Sequence, residues 1–538
     1  MWKWSGDMAI LSARQKMGAA ALIMGFSVLL SRFMGLARDK VISWQFGAAG
    51  ESDIYFTAFV VPDFINYLLA GGYISITLIP LLSALFEEDE EDGWRFFGAV
   101  FTWATLAILG LAVLGWLFAA PLARLVAPGF TVEQHARLAH FLRIVLPAQI
   151  FFLPGACLSA LLYIRRQFAV PALMPLIYNG FILLGGMLLP ALGLARGMEG
   201  FCWGVLAGAF AGAFLLPCIA ARKGGLKFRP ALTHPRLGRL AWLALPLIVG
   251  QSVVVLDEQF VRIFGSLGGE GAVSLLNYAR RIMMVPVGVV AQAAGVASFP
   301  FLASLAAKRS WGEFDGTLRT ALRSSMIVVV PMTAWLLLVS PYVLGLIFEG
   351  GRFSPEQTAQ AAPLLRIMLL AVPFWALQQV TGRAFYARQD TVTPAVVGTL
   401  ATFAALPAYV WLLPSLGETA AAGVACVASS SVALYAVALM FVAGRRWGWT
   451  AFDGVGMALL RSMALCLPAL AMGWGAAWIV GGLESAAGGM LPPLARQLAV
   501  LTVSGLAFML GWGLAARLFA PEYLHIVAGP LLRRLRKK

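Results

Sequence analysis

Apolar and polar positions segregate along this chain on the scale of whole helices. Mostly apolar runs of about 20 residues, enough to cross a ~30 Å hydrocarbon core, recur from end to end, separated by short polar stretches. We place fourteen such spans, starting near residues 18, 53, 95, 138, 167, 198, 237, 271, 321, 361, 392, 419, 456 and 494. Strands of a membrane barrel would instead alternate over about 10 residues. The pattern predicts an all-α integral membrane protein with fourteen transmembrane helices. The first run ends at no small-residue cleavage site and is followed by many others, so a removable signal peptide is not expected.

Charge tests the count. Lys3, Arg14 and Lys16 precede the first span, Arg165 and Arg166 follow the fourth, and Arg222, Lys223, Lys227, Arg229, Arg236 and Arg239 follow the sixth. Lys308, Arg309 and Arg319 come after the eighth, Arg388 after the tenth, Arg445 and Arg446 after the twelfth, and Arg533 to Lys538 at the end. With fourteen spans all of these share one side, which the positive-inside rule makes cytoplasmic, together with both termini. Opposite loops are sparse, with Glu349 and Arg352, Glu418, and Glu484 and Arg496. The exception is "EEDEED", Glu87 to Asp92, expected as a solvated cytoplasmic loop.

Composition agrees with this picture. Hydrophobic residues make up 60% and charged residues 12%, with a mean hydropathy of +0.83, outside the range of soluble domains. The net charge of +15 is therefore mostly a topology signal, with some affinity for anionic lipid headgroups, and no nucleic-acid partner is expected. Cys157, Cys202, Cys218, Cys426 and Cys466 lie singly in apolar segments, without metal-ligand or disulfide spacing. Neither a Walker loop nor a nucleophile elbow appears, so no enzyme, catalytic residue or organic cofactor is predicted.

The chain also repeats itself. "YIRRQFAVPA" (Tyr163 to Ala172) and "YARQDTVTPA" (Tyr386 to Ala395) both read Y-x-R-x5-P-A, and "LIPLLSAL" echoes "SFPFLASL". "GWRFFGAVF" and "SWGEFDGTL" occupy matching places before the third span of each half. Copies six spans apart share one orientation, predicting a parallel pseudo-repeat of two six-helix bundles. The boundaries expected are 1–222, a basic linker 223–236, a second bundle 237–446, and two further spans with a basic tail over 447–538. Paired bundles of this kind enclose a path and work by rocking; duplication for packing alone is the alternative.

Several charges interrupt the apolar runs. Arg32 and Arg38 lie in span one, Asp53 near the start of span two, Asp257 and Glu258 in span seven, and Arg280 and Arg281 in span eight. A charge at mid-bilayer costs about 2.5–3.5 kcal/mol, so each is expected to face a wet cavity or a partner. Together they would line a cavity of net positive character, and guanidinium forks suit phosphate. Snorkelling or a structural ion pair is the other reading, chiefly for Arg38 and Lys40. Pro62, Gly71 and Gly72 interrupt span two and suggest a bending gate, although glycine also serves tight helix packing.

"SRFMGLARD", then "FGAAGESDIYFTAFVVPDFINYLLAGG", and later "RAFYARQDTVTP" resemble the MurJ/MviN lipid II flippases of the multidrug/oligosaccharidyl-lipid/polysaccharide exporter superfamily. The likeness covers nearly the whole chain. It implies translocation of undecaprenyl-pyrophosphate-linked peptidoglycan precursor from the cytoplasmic to the periplasmic leaflet of a bacterial inner membrane. The resemblance assigns substrate contacts to Arg32, Arg38, Asp53 and Arg281. It also implies a sodium ligand at Asp257, with Asp390 as another candidate, or coupling to the proton-motive force or membrane potential. Lipid-linked saccharide, membrane lipids and cell-wall synthesis proteins are the expected partners of a monomer. Two places depart from the family pattern: Asn66 and Tyr67 stand where it has basic residues, and Gly71 where it has an acid. A flippase for another polyprenyl-linked oligosaccharide therefore stays open, as do a cation-coupled drug exporter and a membrane scaffold.

Overall fold

The structure is a computed structural model and describes residues 17–70, 73–288, 293–486 and 492–526. Packing divides the chain into two units, Met1–Val273 and Ser274–Lys538. The first begins with α1 (Met17–Phe46), α2 (Gly50–Thr57), α3 (Val60–Ala70), α4 (Tyr73–Glu88), α5 (Glu90–Leu117) and α6 (Ala119–Val126). It continues with α7 (Val132–Val145), α8 (Gln149–Ile164), α9 (Ala169–Ala191), α10 (Glu199–Gly208), α11 (Leu216–Lys223) and α12 (Leu237–Gly265). The boundary falls inside α13 (Ala272–Pro286). The second unit then holds α14 (Ala293–Ala307), α15 (Trp311–Phe348), α16 (Pro355–Leu369), α17 (Val372–Ala387), α18 (Val392–Pro407), α19 (Ala420–Trp447), α20 (Val455–Ala486) and α21 (Pro493–Phe519).

No strand occurs among the described residues, and every expected span meets a helix. Ten helical segments are long and apolar enough to cross a membrane, a count made on the described residues. The other expected spans fall on α1, α2–α4, α12 and α13–α14. Segment two breaks at Ala58–Phe59; Pro62 then lies in the first turn of α3, where its missing N–H costs nothing. Gly71 and Gly72 lie outside the described residues.

The expected boundary at 223–236 and the packing boundary differ. The reason is α12, which packs on α3 and α4 and so joins the first unit. Elsewhere in that unit α1 packs on α9, α9 on α10 and α5 on α8, around a core including Leu82, Trp94, Phe97 and Leu161. In the second unit the α20–α21 hairpin packs on α15, and α17 packs on α14, α15 and α19.

The Y-x-R-x5-P-A repeat is a helix stop built twice. Arg166 and Gln389 both adopt positive φ, 60° and 61°. In each copy the amide of that residue donates to the motif tyrosine's carbonyl, Tyr163 or Tyr386, at 3.0 Å. The next amide reaches one residue further back, Gln167 to Leu162 at 2.9 Å and Asp390 to Phe385 at 3.0 Å. This is the Schellman pattern, and the following proline, Pro171 or Pro394, enters the first turn of the next helix. The motif arginine then lies over the tryptophan of the repeated pair "GWRFFGAVF" and "SWGEFDGTL": Arg165 is 5.1 Å from the Trp94 ring and Arg388 is 4.3 Å from Trp311.

The acidic run is not a solvated loop. Its residues end α4 and start α5, with Asp89 accepting the Glu91 amide at 2.8 Å as a helix cap. The linker carries their partners: Lys227 meets Glu90 at 3.6 Å, His234 meets Asp92 at 3.2 Å, Arg229 pairs with Glu91, and Arg236 pairs with Glu88 at 2.5 Å. Apolar contact fixes the register. Phe228 stacks edge-on against Phe101, the Leu232 carbonyl accepts the Trp103 indole N–H at 2.9 Å, and a Cβ on Gly98 would overlap the Arg229 carbonyl. Most of these acids are half exposed, so each pair contributes no more than about 1 kcal/mol. Reversing Glu88, Glu91 and Asp92 to lysine should release the linker, raising trypsin cleavage at Lys227 and Arg229 severalfold. Gly98→Val should do the same through sterics with the charges intact.

Candidate functional site

The charges of the first unit gather where α1, α3, α9 and α12 meet the short helix α2. On α1, Arg38 folds its guanidinium back onto the neighbouring Asp39, with Nε and Nη2 at 3.1 and 3.0 Å from Oδ1, and Asp39 is fully buried. Nη1 of Arg38 donates to Asn179 Oδ1 on α9 at 3.3 Å, so the arginine ties two helices. Tyr55, Tyr178 and Asp63 lie within its electrostatic reach.

Arg262, in the last turn of α12, forks between two acids. Its Nη1 lies 2.7 Å from Asp63 on α3, and its Nη2 lies 3.0 Å from Glu258 one turn back on α12. Gln259 accepts a long third contact at 3.5 Å. The phenol oxygen of Tyr55 and the amide nitrogen of Gln259 are buried without a hydrogen-bond partner among the described residues. Two guanidiniums, three carboxylates and unsatisfied polar atoms thus occupy an otherwise apolar bundle. Guanidinium groups, here paired with carboxylates, are also the side chains best suited to a phosphate.

The structure sorts the residues predicted from sequence. Arg38 joins this cluster. Arg32 is exposed, with no ion pair or hydrogen bond among the described residues. Asp53 is drawn elsewhere: it is 1% exposed and accepts the Gly271 amide at 2.6 Å, clamping a turn in which Gly271 has φ 84°. Only glycine fits there, since a Cβ would stand 2.7 Å from the Ala48 carbonyl oxygen. The neighbouring Glu51 is similarly committed, to Arg137 at 2.9 Å and to the Met198 amide at 3.1 Å. Asp257 is buried on α12. Arg281 belongs to the second unit and is exposed, and Arg280 beside it is half-buried.

Asp390 also lies in the second unit. Its carboxylate accepts the Thr393 amide at 2.9 Å and hydroxyl at 2.6 Å and pairs with Arg446 at 2.9 Å. Burial raises this carboxyl, but the Thr393 bonds and the Arg446 charge outweigh it and hold the group below the ordinary carboxylate range. That is the chemistry of a helix cap. No group of three or more His, Cys, Asp or Glu side chains is placed to hold a metal among the described residues. Within this cluster Asp39 matches Arg38, and Asp63 and Glu258 match Arg262.

Sequence reading missed Arg262 and Asp63. The i, i+4 spacing of Glu258 and Arg262 was the available signal.

The family model "Lipid II flippase MurJ" matches residues 42–483. The chain belongs to the MurJ lipid II flippase family. A "Probable lipid II flippase MurJ" of Rhizobium meliloti is 29% identical over 443 residues, covering 79% of this chain and 80% of the relative. The "Lipid II flippase MurJ" of Burkholderia cenocepacia is 26% identical over 511 residues, covering 86% and 97%. Among solved structures, a lipid II flippase MurJ in an inward closed conformation aligns with TM-score 0.75 at 21% identity, over 92% of this chain and 99% of that one. An inward-facing multidrug resistance MATE transporter aligns with TM-score 0.62 at 14% identity, over 81% and 99%. These structures share the fold: a multi-pass all-helical membrane protein.

Arg262→Ala takes from Asp63, about one-third exposed, its arginine partner and removes the Glu258 pair, so the loss should be about 1–3 kcal/mol. Thermal melts of purified protein check this. The triple variant Arg262→Met, Asp63→Asn, Glu258→Gln should melt above Arg262→Ala, since it leaves no unpaired charge.

Proposed function

We propose that this chain is a lipid II flippase, moving undecaprenyl-pyrophosphate-linked peptidoglycan precursor from the cytoplasmic to the periplasmic leaflet of the inner membrane. The observation that carries this reading is the pair of guanidiniums, Arg38 and Arg262, held within the bundle of a MurJ-family chain by carboxylates a phosphate can replace. Fourteen crossings are the topology proposed: the ten apolar segments together with α1, α2–α4, α12 and α13–α14. Both termini are then cytoplasmic by the positive-inside rule.

The mechanism is alternating access without covalent chemistry. The headgroup pyrophosphate takes Arg38 and Arg262 from their acids while the lipid tail stays in the bilayer. The resemblance adds Arg32 and Arg281 as further phosphate partners. Release on the far side returns each arginine to its carboxylate, so binding is tight enough to desolvate pyrophosphate yet reversible. Membrane potential or a cation resets the cycle, with Asp257 as the proposed sodium ligand.

Two other readings rest on specific observations. Asn66 and Tyr67, where the family has basic residues, favour a different polyprenyl-linked oligosaccharide. Three acids against two arginines favour a cation-coupled drug exporter; against it, Asp39, Asp63 and Glu258 are all engaged with arginine.

Complementation separates them. Cells depleted of their own lipid II flippase should survive on this chain, whereas Arg38→Ala and Arg281→Ala should reach the membrane and fail to rescue. Drug efflux from vesicles without precursor translocation would instead establish the exporter.

A further inference from the structure

Two helices of equal length stand at matching places in the repeat. α8 (Gln149–Ile164) and α17 (Val372–Ala387) are each 16 residues long and end at the same stop, which aligns Tyr163 with Tyr386. Their packing differs where their residues differ. α8 carries Phe152, Gly155, Ala156 and Ala160, and a Cβ on Gly155 would overlap the Ala213 carbonyl, so this helix meets its neighbour backbone to backbone. At the same positions α17 carries Trp375, Gln378, Gln379 and Arg383.

Gln378 has a structural partner, the Tyr435 hydroxyl on α19. Trp375, Gln379, Arg383 and Tyr386 instead fall on one stripe of the helix, at i, i+4, i+8 and i+11. All of them are half-buried, and none has a side-chain hydrogen bond or ion pair among the described residues. A Cβ on Gly295 of α14 would stand 3.5 Å from Arg383 Cγ, and the Arg383 guanidinium lies 5.9 Å from the Phe299 ring, the outer limit of a cation–π contact. Acids at this end of the unit are engaged with other arginines, Asp315 with Arg388 at 3.7 Å and Asp390 with Arg446 at 2.9 Å. Lipid is a costly neighbour for glutamine and arginine, and a packed core pairs them. A half-buried, unpaired stripe fits a wet path.

We propose that this stripe is a loading contact of the second unit for the headgroup of a lipid-linked saccharide, with Arg383 holding the diphosphate and Gln379 and Trp375 the sugar. The assignment deepens the flippase reading and rests on it. A guanidinium forks onto phosphate oxygens, an amide serves sugar hydroxyls as donor and acceptor, and an indole covers the apolar face of a pyranose. Arg383 lies four residues, about 6 Å of rise, inside the helix end that the positive-inside rule makes cytoplasmic. Trp375 lies another eight residues, about 12 Å, deeper. The saccharide thus enters ahead of the diphosphate, which stays at the rim beside the lipid tail. The matching face of α8, with Ala156 and Ala160, offers none of these groups.

The test uses the full purified chain with two probes, lipid II and undecaprenyl diphosphate, which lacks the saccharide. Bound lipid is counted by native mass spectrometry, with melting followed in parallel. Arg383→Ala should weaken both probes about tenfold, and Arg383→Lys should recover part of the loss. Trp375→Ala and Gln379→Ala should weaken lipid II about threefold and leave undecaprenyl diphosphate unchanged. In inside-out vesicles, Gln379→Cys and Arg383→Cys should react with a membrane-impermeant thiol reagent, read at that peptide by mass spectrometry, while Ala160→Cys on α8 should not. Absent labelling at both α17 positions, or lipid II binding unchanged in Arg383→Ala, overturns the proposal and leaves the flippase reading standing on rescue by the wild-type chain. Arg383→Ala weakening phosphatidylglycerol as much as lipid II also overturns it, and makes this arginine an anchor to the bilayer surface. A wild-type chain that binds neither probe and rescues no depleted cells overturns the flippase reading, and this proposal with it.

Discussion

A charge that leaves water for an apolar bundle must take a partner with it, and the first unit is arranged around that requirement. Each guanidinium in its cluster costs about 2.5–3.5 kcal/mol near mid-bilayer if left alone. Arg38 meets the requirement locally by folding onto Asp39, then uses its remaining donor to hold Asn179 on α9. Arg262 meets it across helices, with Asp63 on α3 and Glu258 on its own α12. The second solution has an architectural consequence. It ties α12 to the segment-two helices, and for that reason the packing boundary follows Val273 instead of the linker.

Pairing of this kind is stable and exchangeable at once. Carboxylate and phosphate oxygens both accept charge-assisted hydrogen bonds from a guanidinium, so the two compete for the same donors. In the proposed mechanism that competition allows release, as the acids reclaim their arginines. Matching acids lower the net affinity while keeping the specificity of the fork.

How legible this was depended on the range of the interaction. Helix positions and the repeat were readable because their causes are local. Tyr163–Ala172 and Tyr386–Ala395 share spacing because a Schellman stop requires a left-handed residue directly after the capping arginine and tolerates proline only in the next helix's first turn. The acidic run was misread for the opposite reason. Six adjacent acids look solvated by composition, and their partners Lys227, Arg229, His234 and Arg236 come more than 130 residues later. Asp53 misled in a third way. Its place at the head of an apolar run pointed to a wet cavity or a partner, and the structure supplies a partner that sequence could not name, a backbone amide 218 residues away.

That clamp fixes the last turn of the first unit. Asp53 and Gly50 on α2 both reach the turn before α13: Asp53 accepts the Gly271 amide, and the Gly50 amide donates to Glu270 at 3.0 Å. The turn contains Gly269 and Gly271, both at positive φ, and the packing boundary comes two residues later. The chain therefore leaves the first unit from an anchored point. Opening that turn breaks a buried carboxylate–amide bond, which costs more than opening an exposed turn would. Losing the Asp53 carboxylate would take from the Gly271 amide this acceptor and loosen the turn that precedes α13.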